Sequence, residues 1–517
     1  MLLHQFLEES ARCRPQATAL IDARRTATYA EMDILANRFA NLYRQSGVSR
    51  HDRVVIAMEN SVDFAGAYFG ALKAGAAAVP LPAGPRSDRL GTAIADCDPA
   101  VAVIDWPTAQ DTGRSHPLCD VPKVFVSSPA RPVAVSSPFR SLEHGLRQAG
   151  EEPPAVRPID IDLAAIIYTS GSTGEPRGVM LTHRNIVANT RSIVSYLGLT
   201  AADRVMCVLP FYYVYGLSLL HTHVAVGGSV VVDNRFAFPN VVLEAMQRLA
   251  VTGFAGVPST FSLLLHRSDL DQTDFPALRY VTQAGGGMPV ARIHEWLERG
   301  PDVPFYVMYG ATEASARLTY LEPSRLRDKM GSIGRPIPNV EIVVVADGGR
   351  LAAPNEVGEL YARGTNIALG YWNNPDETRE RFTPLGYCTG DLGYVDSDGF
   401  LFLVGRKHDM LKVGAHRVGA KEIEDLLNRY PGVSEAAVVA APDDLLGEVP
   451  VAFLSFRRGT EGSVEGLQGF CRTNLAPHKV PVRFEFKAEL PKISGIGKID
   501  KRALRDEAAR PRAPHTR

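Results

Sequence analysis

Tyr168-Thr-Ser-Gly-Ser-Thr-Gly-Glu-Pro-Arg-Gly178 packs three glycines and four Ser/Thr hydroxyls into eleven residues, directly after the apolar stretch Leu163 to Ile167. Glycines let backbone N–H groups approach an anion closely, and the hydroxyls add donors. The run reads as a loop that wraps phosphates at the end of a buried strand. It is not a Walker A loop, because no Gly-Lys-Ser/Thr closes it. The plain alternative is a flexible Ser/Gly surface loop, but linkers seldom follow a buried strand so tightly.

Outward from this loop, strand and helix patterns alternate. Arg53 to Met58 and Ala76 to Leu81 read as strands around a helix that Ser61 caps and Gly75 ends. Arg204 to Leu209 and Gly228 to Val232 flank a helical stretch, Tyr213 to Val226. Thr252 to Val257, Leu278 to Gln283 and Phe305 to Met308 are further strands. Such alternation predicts parallel sheets, which bind ligands at the carboxyl ends of their strands. The Asp-Arg-Val echo at 52–54 and 203–205 suggests two similar sheet subdomains.

From Gly331 the texture becomes β-rich, with Val340 to Val345, Glu359 to Ala362 and a hairpin over Tyr394 to Val404 turned at Asp398-Gly399. After Asp409 a compact α+β pattern begins. The expected fold is α/β: a large N-terminal domain over 1–408, with two parallel-type sheet subdomains and a β-rich subdomain, then a small α+β domain over 409–517. The stretch Trp106 to Pro158, rich in Pro, Ser and Arg, reads as a solvated connection or edge excursion.

With 56 basic against 57 acidic residues, nothing predicts nucleic acid or an anionic membrane as partner. No run approaches the roughly 20 apolar residues of a membrane helix, and the N-terminus lacks a signal-peptide core. Six scattered cysteines without a Cys-x-x-Cys pair suit a reducing cytoplasm. His221 and His223 superficially suggest a metal pair, but they lie in an apolar helical stretch and have no third ligand, which favours packing.

Four further motifs follow the loop in order: Tyr309-Gly-Ala-Thr-Glu313, Tyr387-Cys-Thr-Gly-Asp391, Gly405-Arg-Lys-His-Asp-Met-Leu-Lys-Val-Gly-Ala-His-Arg417 and Leu490-Pro-Lys-Ile-Ser-Gly-Ile-Gly-Lys-Ile-Asp500. Together the five resemble the adenylate-forming superfamily of acyl- and aryl-CoA synthetases, peptide-synthetase adenylation domains and luciferases. The resemblance runs from about residue 10 to about residue 505.

The resemblance implies an AMP-forming acid–thiol ligase that uses ATP and Mg²⁺. A carboxylate attacks the α-phosphate of ATP, giving an acyl-adenylate and pyrophosphate; catalysis is then mostly positioning and electrostatics. Thr169, Ser170, Gly171, Ser172, Thr173 and Gly174 would hold the β- and γ-phosphates, with Arg177 where the family usually has Lys. Arg keeps the charge but presents a fork. Thr312 would hydrogen-bond the α-phosphate and Glu313 would hold Mg²⁺. Tyr309, followed by Gly310, would stack on adenine, with Gly285, Gly286 and Gly287 on its other face. Asp391 would accept the ribose hydroxyls, assisted by Arg406. Lys498 would bridge carboxylate and α-phosphate, although four residues (Ile493 to Ile496) stand where the family has three.

Family members also rotate the small C-terminal domain between half-reactions. Asp409 occupies the hinge position, and rotation would present Lys412 to an attacking thiol. Amino-acid-activating relatives place an Asp within the region Phe211 to Gly216; here Phe211-Tyr-Tyr-Val-Tyr-Gly216 has no acid. An unpartnered buried ammonium is costly, so a fatty, branched or aryl acid is expected, walled by Tyr212, Tyr213, Tyr215, Val257 and Gly285. The acceptor is coenzyme A or the phosphopantetheine of a separate carrier protein. No carrier domain follows Arg517, which predicts a free-standing ligase. Two alternatives stay open: a stand-alone protein that loads an amino or acyl acid onto a carrier, and a non-catalytic binder of ATP or acyl-adenylate.

Overall fold

A computed structural model describes residues 1–517 apart from 85–87, 111–115, 129–138, 171–175, 415, 444, 458, 493–498 and 511–517. A seven-stranded sheet runs in the spatial order Phe139–Ser141, Val124–Ser127, Val101–Asp105, Arg53–Ala57, Ala77–Pro80, Leu163–Ser170, Pro176–Thr182. Every neighbouring pair is parallel except the last, a hairpin whose register sets Thr169 opposite Arg177.

A second, 14-stranded sheet contains the parallel run Thr18–Ile21, Ser229–Val232, Arg204–Cys207, Gly253–Gly256, Tyr280–Gln283, Phe305–Tyr309. It then turns antiparallel through Thr319–Leu321 and Ser332–Pro336 into Leu401–Arg406, Gly386–Val395, Gly358–Gly364 and Val340–Val345. This last group is the expected β-rich part, and its hairpin is turned at Asp398-Gly399 as the sequence predicts. A separate five-stranded sheet carries the small C-terminal domain.

The Asp-Arg-Val echo marks a local repeat. Asp52 Oδ2 accepts the Ser49 N–H at 2.7 Å, and Asp203 Oδ2 accepts the Thr200 N–H at 2.7 Å. A strand follows each aspartate, then a helix, Val62–Lys73 or Val214–Val226, then a parallel partner strand. Both helices are buried in one core, where the Tyr68 ring of the first lies 5.5 Å from the His221 ring of the second.

The histidine pair belongs to this core. His221 Nε2 lies 3.1 Å from the Tyr68 hydroxyl and His223 Nε2 lies 3.1 Å from the Tyr280 hydroxyl. Burial pushes both rings down, to about 3 and about 4, so they pack as neutral groups.

The stretch 106–158 departs from its reading as a solvated connection. It supplies the two edge strands Val124–Ser127 and Phe139–Ser141, and Val124, Phe125, Val126 and Leu142 are core. Short strands among Pro and Ser leave no usable period, so only the edge position was legible. Among the described residues, no helix is long and apolar enough to cross a membrane.

Candidate functional site

Thr169, Gly285 and Gly310 stand at the carboxyl ends of parallel strands. Leu163–Ser170 delivers Thr169, half-buried, to the loop. The tip residues Gly171, Ser172, Thr173 and Gly174 lie outside the described residues, as does Lys498. Arg177, just beyond the tip, forms an ion pair with Glu377, and its guanidinium stands 5.7 Å from the Tyr371 ring centre.

Two neighbouring strands deliver the next groups. Tyr280–Gln283 ends in Ala284 and the glycine run, whose Gly286 carbonyl accepts from Gln283 Nε2 at 2.8 Å. Phe305–Tyr309 ends in Gly310, where a Cβ would lie 1.9 Å from the Ala316 carbonyl, so the turn admits only glycine. The turn Thr312–Ala314 follows, and Ser315 and Ala316 take positive φ, 59° and 136°. Such backbone costs about 1–3 kcal/mol per residue and persists only where its surroundings over-determine it. Asn366 does so here: its Nδ2 donates to the Ala314 and Arg317 carbonyls, and its own carbonyl accepts from Ser315 Oγ at 2.7 Å. Asn189 Nδ2 adds a bond to the Arg317 carbonyl at 2.9 Å.

Glu313 emerges from this braced turn. Its Oε1 accepts the Tyr371 hydroxyl at 2.9 Å, and Oε2 has no hydrogen-bond partner among the described residues. Burial and the neighbouring carboxylate push the Tyr371 hydroxyl well up, so it stays protonated and donates. One hard carboxylate oxygen held by a neutral donor, whose ring also lies 5.7 Å from the Arg177 guanidinium, fits Mg²⁺, which pairs few carboxylates with phosphate oxygens.

Asp391, on the strand Gly386–Val395, sits opposite Arg406 of Leu401–Arg406. Only 7 % exposed, it accepts the Tyr309 hydroxyl at Oδ2 and Arg406 Nε at Oδ1, 3.1 Å away. Burial and the Asp391 charge raise the Tyr309 hydroxyl far above its usual range. The Asp391 carboxylate also raises Arg406, so the guanidinium charge is secure. Three residues read from three separate motifs thus form one cluster.

The acid-pocket candidates divide. Gly285 has φ +81°, and a Cβ there would meet Val257 Cγ1 at 2.9 Å and Tyr215 Cδ1 at 3.8 Å. These three converge. Tyr212 and Tyr213 instead pair with each other, rings 4.6 Å apart, at the start of the Val214–Val226 helix.

Asp409 lies in the turn Lys407–Asp409, where the chain passes from the large sheet to the small one, and it pairs with Arg505 at 3.2 Å. Lys412 is exposed with its backbone N–H on Glu448, and no contact among the described residues joins it to Thr312, Glu313 or Asp391. The small domain leans on the large one through Arg292 Nη2, which donates to the Ser434 carbonyl at 2.8 Å, and through Arg267–Glu489.

Residues 7–372 match the model of the AMP-binding enzyme family, and residues 422–498 match its C-terminal domain. The chain belongs to the adenylate-forming superfamily. It is an AMP-forming acid–thiol ligase by that membership. The long-chain-fatty-acid–CoA ligase of Salmonella typhimurium is 32 % identical over 98 % of this chain and 94 % of its own length. The feruloyl-CoA synthase of an Amycolatopsis species is 32 % identical over 96 % of each. Among solved structures, an anthranilate CoA ligase in complex with anthranoyl-AMP superposes with TM-score 0.88 at 26 % identity, covering 98 % of this chain and 97 % of that one. The o-succinylbenzoate CoA synthetase of Bacillus subtilis in complex with ATP and magnesium ion gives 0.83 at 27 %, covering 97 % and 98 %.

Sequence reasoning missed Tyr371, Asn366, Asn189 and Arg317. The first three work on the adenylate-forming ligase's 310–317 turn from 49 to 128 positions away. The aromatic pair Tyr371-Trp372 after Gly370 was the available signal.

Proposed function

We propose that this chain adenylates a carboxylic acid that bears no ammonium and passes the acyl group to coenzyme A. The Asp391–Tyr309–Arg406 cluster carries the reading, because it offers a buried carboxylate to a nucleoside beside the Glu313 turn. A fixed anion that accepts two hydroxyls favours ribose over most other ligands.

In this account Asp391 and Arg406 seat the ribose, Tyr309 and Gly285–Gly287 enclose adenine, and Thr169, Ser170 and the 171–174 tip hold the outer phosphates with Arg177. Thr312 donates to the α-phosphate. Glu313 would hold Mg²⁺, which supplies positive charge against the phosphate oxygens. The acid oxygen attacks α-phosphorus and the bond to pyrophosphate breaks. Lys498 supplies a point charge between the two anions. Residues 409–517 then turn about Asp409, withdrawing Lys498 and bringing Lys412 to the thiol. The turn Lys407–Asp409, between the last strand of the large sheet and the first of the small one, supports a boundary at 408/409. The named CoA ligases among the relatives support coenzyme A as acceptor. Six free cysteines support a cytoplasmic site.

The test is ATP–pyrophosphate exchange with Mg²⁺ against fatty, aryl, hydroxy and amino acids, followed by coenzyme A or a phosphopantetheinylated carrier. Exchange with a non-amino acid and a CoA thioester as product is expected. Exchange with amino acids alone, or a thioester on the carrier alone, overturns the corresponding half.

A further inference from the structure

Arg317 is 3 % exposed, and no carboxylate pairs with it among the described residues. Among the described residues, the other buried Lys and Arg side chains are neutralised: Lys73 by Asp33 at 2.6 Å and Glu8 at 3.2 Å, and Arg292 by Glu295. Arg317 has poor substitutes. Its Nε donates to Met308 Sδ, a weak acceptor, at 3.4 Å, and its Nη1 to the Ala316 carbonyl at a long 3.3 Å. A side-chain hydrogen bond joins it to Tyr196, a neutral partner. The guanidinium lies 4.0 Å from the centre of the Tyr215 ring. A guanidinium cannot shed its proton. Contact with an aromatic face returns only part of what burial of that charge costs.

The position says what supplies the missing anion. Tyr215 is held by the Thr282 carbonyl at 3.0 Å, and its ring edge meets Gly285 and Val257, the converging walls of the acid pocket. Arg317 covers the face of that same ring. It also follows Glu313 by four residues on one braced turn. Arginine matches a carboxylate bidentately.

Resting on the ligase reading above, we propose that Arg317 is a specificity-determining residue for a compact dicarboxylic acid. One carboxylate is adenylated and the distal one completes the ion pair with Arg317. The same charge repels an ammonium, which excludes amino acids.

The experiment compares succinate, glutarate and adipate with their monomethyl esters and with length-matched alkanoates in ATP–pyrophosphate exchange. One diacid should exceed its monoester by about 100-fold in kcat/KM, because the monoester leaves a buried charge unpaired. Arg317→Met should bring that ratio close to one, and Arg317→Lys should keep part of it, with the Kd for ATP as the check on folding. Without turnover, the same diacid should raise the melting temperature of the unaltered protein where its monoester does not. Exchange with neutral monocarboxylates as good as with any diacid overturns this inference and leaves the ligase reading standing. So does a ratio that Arg317→Met leaves unchanged. No exchange with any acid defeats the ligase reading itself. If Arg317→Met fails to bind ATP, the diacid-to-monoester ratio and melting shift of the unaltered protein decide the matter.

Discussion

The Tyr309 hydroxyl donates a 2.5 Å hydrogen bond to Asp391 Oδ2, joining a strand of the parallel sheet to a strand of the β-rich part. The two residues stand 82 positions apart, and the bond fixes the carboxylate where two sheet regions meet. Asp391→Ala should raise the Kd for ATP by about 100-fold, the loss of two charge-assisted hydrogen bonds to ribose. Tyr309→Phe should cost about tenfold or less, because the carboxylate stays. Calorimetric titration with ATP measures both. Equal losses would mean that the pair is structural.

Glu313 and Tyr371 should separate in the same way. Glu313→Gln removes the charge proposed to hold Mg²⁺ and should lower exchange by about 10²–10³-fold while raising the Mg²⁺ requirement. Tyr371→Phe should lower it by about tenfold, through the freed carboxylate. An unaltered Mg²⁺ dependence in Glu313→Gln would remove the metal role.

The order of motifs was legible in the sequence because the glycine-rich loops follow apolar strands, and chain order alone placed Thr169, Gly285 and Gly310 at strand ends; Asp391 instead lies within the strand Gly386–Val395. The bracing of the 310–317 turn was not. Asn189 acts from helix His183–Leu197, and the signals around it, a Thr182/Asn185 capping box, describe only local structure. Arg317 carries no signal in the sequence, since its surroundings depend on Tyr215, about 100 residues away. The edge strands within 106–158 were hidden for the opposite reason: three or four residues are too few to show a period of two.

Arg177 forms an ion pair with Glu377, so a phosphate must compete for it. Glu377→Gln should therefore lower KM for ATP, by about 2–5-fold, and Arg177→Ala should raise it by about tenfold. Initial-rate kinetics at saturating acid check both. A rise in KM for Glu377→Gln would mean that the pair positions Arg177 rather than restraining it.

Four buried histidines make stability depend on pH. Burial holds His4 and His221 down to about 3, and His183 and His223 down to about 4. Unfolded, they titrate near 6.5, so below that pH the unfolded chain binds more protons. Stability is full above about pH 6.5 and falls as pH drops toward 4. The limit is about 1.4 kcal/mol per pH unit for each histidine. The urea midpoint should fall clearly between pH 7.5 and 5.5. A flat midpoint over that range would contradict neutral burial.

The central claim is an acyl-adenylate formed by the large domain and Lys498, then consumed by a thiol after rotation. Its most direct measurement is single-turnover chemistry of Lys498→Ala with the accepted acid. The account predicts that adenylate formation falls by at least about 100-fold, while thiolysis of supplied acyl-adenylate stays near the unaltered rate. Equal loss of both steps, or ADP and phosphate as products of the unaltered protein, would contradict it.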